Sequence, residues 1–369
     1  MTTLGTSPVF FVGALVVQIR DELDFDVSQI GILTAVFFFS SALISSVAGR
    51  VSEGTGAPVA MKAGMTVSVV ALSVIALANS WWQLVAGLAL GGVASAVAQV
   101  SSNLFVTSRT DQSRQGFAFG IKQAAIPAAT LVGGVSVPVI ALTVGWRWAF
   151  AGAAVLSALL VPGIPRDAPR GAGPRWRGGR RPDAPLGPLA VLAFGGALGS
   201  AAANSLGAFL VDSSVTIGTA EGTAGLLAAL GSACGLITRV AGGWAADRAA
   251  GGRLLWVSAL LALGGAGYVL LATGNTGLLV PATLVGFVGG WGWPGLFNFA
   301  VVIRNRSAPA AATGITQTGV YLGGVIGPIV FGLVAQHASY GAAWSLSAAL
   351  AAAGAVTILV GRRLLLRAT

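Results

Sequence analysis

The chain has 369 residues, of which 55% are hydrophobic and only 9% are charged, and its mean hydropathy is +0.84. A soluble globular domain carries about 25% charged residues, so this composition excludes an ordinary water-soluble protein. The net charge of +10 does not indicate a nucleic-acid partner, because the Lys and Arg residues lie almost entirely in short segments between apolar runs. Cys234 is the one cysteine and His337 the one histidine, so the sequence offers neither an intrachain disulfide nor a Cys/His metal cluster.

Twelve apolar runs follow one another along the chain, most of them near the length of about 20 residues that a helix needs to cross a membrane. They cover 1–18, 28–49, 58–79, 82–107, 116–143, 146–163, 188–212, 219–245, 254–273, 277–303, 309–336 and 340–361. The first run is short and begins at the first residue, which leaves open that the native chain starts upstream. The pattern predicts an all-α membrane protein with twelve transmembrane helices.

The long hydrophilic stretch 164–187 contains six Arg and two Asp and predicts a linker between two six-helix bundles, 1–163 and 188–369. Eighteen Lys and Arg residues, Arg239 among them, lie in loops on one side of the predicted membrane, whereas only Arg20 and Arg147 lie on the other. Because basic residues collect on the cytoplasmic side, both termini and the linker are predicted to be cytoplasmic in a multi-pass protein of the cell membrane.

Two segments of the first half recur in the second half at a single offset, which predicts two halves related by duplication. The stretch 49–53 (Gly-Arg-Val-Ser-Glu) recurs as 243–247 (Gly-Trp-Ala-Ala-Asp), and 120–123 recurs as 314–317, each displaced by 194 residues. Each match is weak in a Gly-rich and Ala-rich chain, but their agreement supports the duplication.

The loop after the second helix of each half resembles a signature of the major facilitator superfamily, Gly-x-x-x-Asp-Arg-x-x-Gly-Arg. The second copy, 243–253, is close to that pattern, whereas the first copy, 49–56, has Glu in place of Asp and lacks the basic residues that follow. The run 145–150 (Gly-Trp-Arg-Trp-Ala-Phe) also resembles the family's start of helix 6. Together with the helix count, the linker and the repeat, this resemblance covers the whole chain and implies a carrier of two pseudo-symmetric six-helix bundles.

The residues that match this motif form a candidate conformational latch: Gly49, Glu53, Gly243, Asp247, Arg248 and Arg253. An acidic residue at the cytoplasmic mouth can cap a neighbouring helix or pair with Arg, and Gly allows close backbone approach. Such contacts would hold one conformation and break as the halves rock. The alternative is plain membrane topology and helix capping, and neither interpretation makes Glu53 or Asp247 a substrate ligand.

Lys122 is interpreted as the only charged residue well inside a predicted span, and it is the first candidate for contact with a solute. A charge within the membrane is costly and marks a substrate pathway when it faces a cavity. Two alternatives stay open: the side chain extends to the cytoplasmic interface, about two turns away at Arg114, or it forms a structural pair with a helix carbonyl or with Asp111.

Other polar and aromatic side chains complete the candidate cavity, because residues at helical spacing share a face. Polar side chains that bond only to neighbouring helices, and Trp side chains that only pack, are the alternative. Helix 10 is expected to kink within 289–295, where Gly, Trp and Pro residues follow one another. The candidates besides Lys122 are Gln99, Asn103, Gln123, Asn204, Trp291, Trp293, Asn298, Gln317 and Tyr321.

No Asp or Glu occurs in the middle of a predicted span, which favours an anion over an organic cation as the solute. The sequence therefore predicts a secondary carrier that moves a small organic or inorganic anion by alternating access, with the proton as the candidate coupling ion. An exporter of drugs or hydrophobic compounds is the alternative, and a membrane sensor is less favoured. We expect no enzyme activity, no cofactor and no nucleic-acid partner; the expected partners are a small-molecule substrate and the lipid bilayer, and the expected state is a monomer.

Overall fold

The computed structural model describes residues 1–110, 114–164, 185–248, 251–305 and 309–368. Every regular element in these ranges is helical, as the apolar pattern predicts. The predicted linker 164–187 lies almost wholly outside the described residues, and so does Asp111. The first half contains α1 (Thr2–Leu23), α2 (Val27–Thr55), α3 (Ala57–Ala76), α4 (Trp81–Arg109), α5 (Gln115–Ser136) and α6 (Arg147–Leu160). The second half contains α7 (Leu186–Thr216), α8 (Glu221–Arg248), α9 (Arg253–Ala272), α10 (Leu279–Arg304), α11 (Pro309–His337) and α12 (Tyr340–Ala368).

Eleven of the described helices are long and apolar enough to cross a membrane, and α6 is an apolar helix of 14 residues. Two of these helices begin with a side-chain cap. At the start of α2, Asp26 and Gln29 form a capping box, in which the backbone N–H of Asp26 donates to Oε1 of Gln29 at 2.7 Å. Ser80 caps α4 by accepting a hydrogen bond from the backbone N–H of Gln83.

α10 is one continuous helix from Leu279 to Arg304 with Pro294 inside it, and the kink expected there stays a prediction. An irregular segment that the sequence did not predict lies in the first half, where α5 passes into a π-helical segment, Val137–Ala141, and a short helical end, Leu142–Val144. Pro138 lies in that segment and cannot donate a backbone hydrogen bond, which favours a local change of helix type.

The two ends of the bundle differ in charge. The basic end, where α1 begins and α12 ends, carries Arg50, Lys62, Arg114, Arg248, Arg253, Arg304, Arg362, Arg363 and Arg367. The opposite end carries Arg20, Asp21, Glu22, Arg147, Asp212 and Glu221.

The most extensive contacts between the halves are those of three helix pairs: α1 with α7, α2 with α11, and α5 with α8. Backbones meet directly in these pairs, because Gly leaves room that a side chain would fill. A methyl group at Gly225 of α8 would lie 2.7 Å from the carbonyl oxygen of Gly134 on α5, and one at Gly31 of α2 would clash with the carbonyl oxygen of Pro328 on α11. Small residues at such crossings are how helices pack closely in lipid.

Polar contacts also close the opposite end. Nη1 of Arg20 on α1 lies 3.1 Å from Oδ2 of Asp212 on α7, and the hydroxyl of Tyr340 on α12 donates to the same carboxylate oxygen. The backbone N–H of Val27 on α2 donates to Oε1 of Gln336 on α11 at 3.1 Å. The contacts of Arg20 with Asp212 and of Val27 with Gln336 cross from one half to the other, so the opposite end is shut in this conformation.

The two duplicated helix pairs differ in how closely they pack at the basic end. Duplication relates the pair α5 and α8 to the pair α11 and α2, yet the two pairs pack differently there. A methyl group at Gly243 of α8 would lie 2.5 Å from the carbonyl oxygen of Gly116 on α5. No described atom lies within 4 Å of a methyl group placed at Gly49 of α2 or at Gly314 of α11. The basic ends of α2 and α11 therefore have space around them that the ends of α5 and α8 lack.

This asymmetry predicts opposite outcomes for one substitution at two duplicated positions. Gly243→Ala should destabilise the protein by about 1–3 kcal/mol, since the new methyl group meets backbone atoms that cannot rotate away. Gly49→Ala is the matched control and should be neutral or slightly stabilising, because Ala favours a helix and meets nothing there. Apparent melting temperatures of the purified variants check this; equal values for both variants would contradict the close contact of α5 and α8.

Candidate functional site

Lys122 lies deep in the bundle on α5, and its ammonium group donates to Oε1 of Gln99 on α4. Both side chains are half-buried, so each remains partly accessible. The hydrogen bond directs the ammonium group toward α4 and not toward Arg114 at the basic end.

Arg239 on α8 lies inside the bundle, with only 5% of its surface exposed. Its Nε donates to the carbonyl oxygen of Trp291 on α10 at 2.5 Å, and its Nη1 donates to the carbonyl oxygen of Gln123 on α5 at 2.6 Å. The guanidinium group therefore joins α8 to α10 in its own half and to α5 in the other half. It lies nine residues before the end of α8, a rise of about 13 Å from the basic end.

The position of Arg239 corrects two predictions from the sequence. Arg239 does not belong to the basic residues of the loops, and Lys122 is not the only charged residue well inside a span. Because Arg239 binds the carbonyl of Gln123, the residue after Lys122, the two cations lie at nearly the same depth.

The interior charge is not balanced by acidic side chains among the residues that the structure describes. The acidic side chains described lie at helix ends, and the two ion pairs found among them, Arg20 with Asp212 and Arg147 with Glu22, are at the opposite end. Neither Lys122 nor Arg239 has a carboxylate within ion-pair distance in the described ranges. A buried cation without an anion is costly, so this part of the bundle is suited to a negatively charged ligand.

Gln123 and Trp291, whose carbonyl oxygens bind Arg239, lie on either side of its guanidinium group. The Gln123 side chain is buried, and its Cγ is 3.9 Å from a methyl group placed at Gly295 of α10. The indole N–H of Trp291 donates to the carbonyl oxygen of Ala203 on α7 at 2.7 Å, and its ring meets that of Phe10 on α1 edge to face at 5.2 Å. Trp291 thus contacts both halves beside Arg239.

Trp293 lies apart from this group. Its ring is buried inside the second half, against Phe297 at 5.6 Å between ring centroids and close to Gly199 of α7. Two residues along a helix differ by about 200° in direction, so Trp291 and Trp293 cannot line the same wall. The contacts of Trp293 are those of a packed core residue.

A second polar group lies where α2, α7 and α11 meet. Nδ2 of Asn204 donates to the carbonyl oxygen and to Oγ of Ser200 at 2.9 Å and 3.0 Å, and Ser200 donates to the carbonyl of Val320 on α11. The hydroxyl of Tyr321 on α11 lies close to the side chain of Ser45 on α2. Gln317, four residues before Tyr321 and half-buried, lies on the same face of α11.

Asn103 and Asn298, which lie 195 positions apart in the two halves, have different surroundings. Asn103 is exposed on α4 near the basic end. Asn298 is half-buried on α10, and its Oδ1 is buried without a hydrogen-bond partner among the described residues. Asn298 is seven residues after Trp291, which puts both on one face of α10. Asn298 therefore offers a free acceptor on the side of α10 that faces the other half.

The second copy of the loop motif is assembled at the basic end. Oδ1 and Oδ2 of Asp247 accept hydrogen bonds from the backbone N–H groups of Gly116 and Phe117, both at 2.8 Å, and so cap α5 from the other half. Arg253 donates from Nε and Nη2 to the carbonyl oxygen of Ala246 at 3.0 Å and 2.7 Å, which closes the end of α8. Arg248 is exposed and stacks on Trp244, 3.9 Å from the ring centroid.

The first copy is different. Gly49 has open space where Gly243 is packed, and the side chain of Glu53 lies outside the described part of the chain. The structure therefore brings Gly243 and Asp247 together at one inter-half contact, and Arg253 binds the end of α8 beside them. A role of these residues as a latch between conformations stays a prediction.

A sequence model of the Major Facilitator Superfamily matches residues 2–188 and again residues 189–367. The chain belongs to the Major Facilitator Superfamily. As a member of this superfamily it is a multi-pass secondary transporter and not an enzyme.

Two known proteins are similar to this chain. The chain is similar to a bacterial homologue of the human lysosomal transporter Spinster, solved in an inward-facing and occupied conformation, with a TM-score of 0.74 and 15% identity over 98% of this chain and 94% of that chain. At 15% identity, this similarity shows a shared fold and nothing finer. The chain is also 23% identical over 147 residues to Azole resistance protein 1 of Saccharomyces cerevisiae. That alignment covers 40% of this chain and 24% of the yeast protein. The match thus spans about a quarter of the length of this curated relative.

Proposed function

We propose that the chain moves a small anion across the membrane by alternating access. The observation that carries this proposal is the pair of interior cations, Lys122 and Arg239, which face no carboxylate among the described residues. An anion bound between the halves would supply the missing negative charge. Charged hydrogen bonds in such a site are short and about twice as strong as neutral ones.

The neighbouring polar groups favour an organic anion over a bare inorganic one. Asn298 presents a buried acceptor oxygen that lacks a donor among the described residues, and a hydroxyl or amide group of the solute would satisfy it. Gln99 already accepts from Lys122, so its amide N–H groups remain available to a carboxylate oxygen. A small carboxylate that also carries a donor fits both features.

The proposed route opens at the basic end between α2 and α11. The contacts of Asp212 shut the opposite end, whereas the surroundings of Gly49 and Gly314 are open at the basic end. Transport would require the Asp212 contacts to part while the α2 side closes. The excess of basic residues supports a cytoplasmic location for this end and for both termini in the cell membrane. The proton is the candidate coupling ion.

Efflux of hydrophobic compounds is the second candidate function. The partial match to a protein named for azole resistance favours it, and so does the aromatic cluster of Phe10, Phe287 and Trp291 between the halves. A lipophilic cation, however, would have to approach Arg239 and Lys122, and two like charges oppose it. A neutral hydrophobic compound would leave both cations without a counter-ion.

A ligand screen by thermal shift separates the two functions. Small carboxylates and inorganic anions should raise the apparent melting temperature of the purified protein by several degrees at saturation, since a ligand that binds only the folded state stabilises it. The shift should vanish in Lys122→Met. Lys62→Met, which changes the other lysine of the chain at the basic end, is the matched control and should keep the shift. A shift with lipophilic compounds and none with any anion would reject the anion proposal.

A further inference from the structure

A cavity of about 230 Å³ opens at the basic end of the second half, away from the inter-half site. It lies between the start of α9, the end of α10 and the last turns of α12. Three of its lining residues are Arg253, Arg304 and Arg362, and none of the described residues that line it is acidic. The cavity is therefore strongly cationic.

The backbone adds to this charge. α9 begins at Arg253 after Gly252, whose φ of 77° turns the chain sharply, and no side chain caps the helix. The first N–H groups of a helix are unpaired within it and carry a partial positive charge. An arginine at that position is unfavourable for the helix dipole unless an anion is bound beside it.

One neighbouring acid, Asp247, offsets only part of the positive charge at the cavity. Arg304 is close enough to repel Arg253, while Asp247 attracts Arg253 from the end of α8. Both carboxylate oxygens of Asp247 already accept hydrogen bonds from the backbone of α5. The charge of Arg304 and Arg362 is left facing the cavity.

The cavity borders an apolar surface that would face lipid. Leu255 and Trp256, in the first turn of α9, are exposed, and so is Leu366 on α12. Tryptophan at a helix end is typical of the interface between lipid headgroups and hydrocarbon. A ligand with an anionic head and an apolar tail fits this junction, whereas a free phosphate would use only the cavity.

We propose that this cavity binds the phosphate headgroup of an anionic phospholipid, with Arg304 and Arg362 as its main side-chain contacts and the start of α9 as its backbone contact. Basic pockets between transmembrane helices on the cytoplasmic side bind anionic lipid heads by the same chemistry. Because Arg253 also binds the end of α8 through the Ala246 carbonyl, a lipid bound here would stabilise the second half beside the Asp247 contact.

Native mass spectrometry and thermal shift with phosphatidylglycerol test this proposal on the full-length protein in neutral detergent. Phosphatidylglycerol should bind and raise the melting temperature more than phosphatidylcholine does, and the double variant Arg304→Gln/Arg362→Gln should bind it at least tenfold more weakly. Arg363→Gln, which changes the exposed neighbour of Arg362, is the matched control and should bind like the unaltered protein.

Two results would overturn the proposal. One is equal binding of phosphatidylglycerol by the double variant and by Arg363→Gln. The other is a thermal shift with millimolar inorganic phosphate that matches the lipid and is lost in the double variant, which would show a site for a free anion. Since the site is apart from the inter-half cations, either result leaves the proposed transport function standing.

Discussion

Arg239→Gln should abolish most of the anion binding of this transporter while leaving the protein folded. Loss of a hydrogen bond to a charged group costs about 1.5–3 kcal/mol, which corresponds to roughly a 10-fold to 150-fold weaker affinity. Glutamine keeps a donor for one of the two carbonyls, Trp291 or Gln123, so the helices retain part of their connection. Anion affinity and uptake into vesicles measure the effect.

The controls separate a role in binding from one in packing. Arg248→Gln removes an exposed arginine of the same helix and should leave anion affinity unchanged. Arg239→Lys keeps the charge but cannot reach two carbonyls in a fixed fork, so its affinity should fall between those of the other two variants. If Arg239→Gln melts far lower without ligand yet binds anions with unaltered affinity, the residue serves only to hold the helices together.

The fold was predictable because every membrane-spanning helix must be apolar, and apolar character can be identified directly from the sequence. Each span must be apolar over about 20 residues, since water cannot satisfy the backbone within the membrane. Runs such as 58–79 and 254–273 correspond to α3 and α9. The π-helical segment Val137–Ala141 was not predicted, because Pro138 marks an irregular position without saying which helix type replaces it.

Arg239 was missed because its neighbours in sequence gave a misleading context. It precedes Arg248 and Arg253, so the basic residues looked like one loop group, whereas α8 continues for nine residues beyond Arg239. The sequence did contain an indication that Arg239 is interior, because uncharged residues flank it on both sides. They are Gly-Leu-Ile-Thr before it and Val-Ala-Gly-Gly after it. An arginine in that context is a candidate for the interior, as Lys122 was.

The sequence could predict candidate residues for the site, but not which residues they contact. Helical spacing identifies which residues share a face, but not which neighbour that face meets. Trp291 and Trp293 were predicted together, and only the structure shows that one meets Arg239 while the other packs on Phe297. The degraded first copy of the loop motif was visible in the sequence, but the open space at Gly49 depends on where α11 lies.

Asp212→Asn should shift the transporter toward a state that is open at the opposite end. The carboxylate of Asp212 is 1% exposed and accepts from Arg20 and Tyr340, so it ties α7 and α12 of the second half to α1 of the first. Breaking a fully buried ion pair costs about 3–5 kcal/mol. Arg20 is one-quarter exposed, so we expect a smaller shift of about 1–3 kcal/mol, or roughly 5-fold to 150-fold in the ratio of the two states.

Distances between spin labels report this shift directly. Labels at Trp82→Cys and Ala220→Cys, two exposed positions of the opposite end, in a Cys234→Ser background, should move apart in Asp212→Asn. Glu22→Gln is the matched control, because Glu22 pairs with Arg147 inside the first half and its loss should leave the label distance unchanged. An unaltered distance distribution in Asp212→Asn would mean that the packing of α1 on α7 and of α2 on α11 closes this end without the charge, since those backbone contacts do not depend on Asp212.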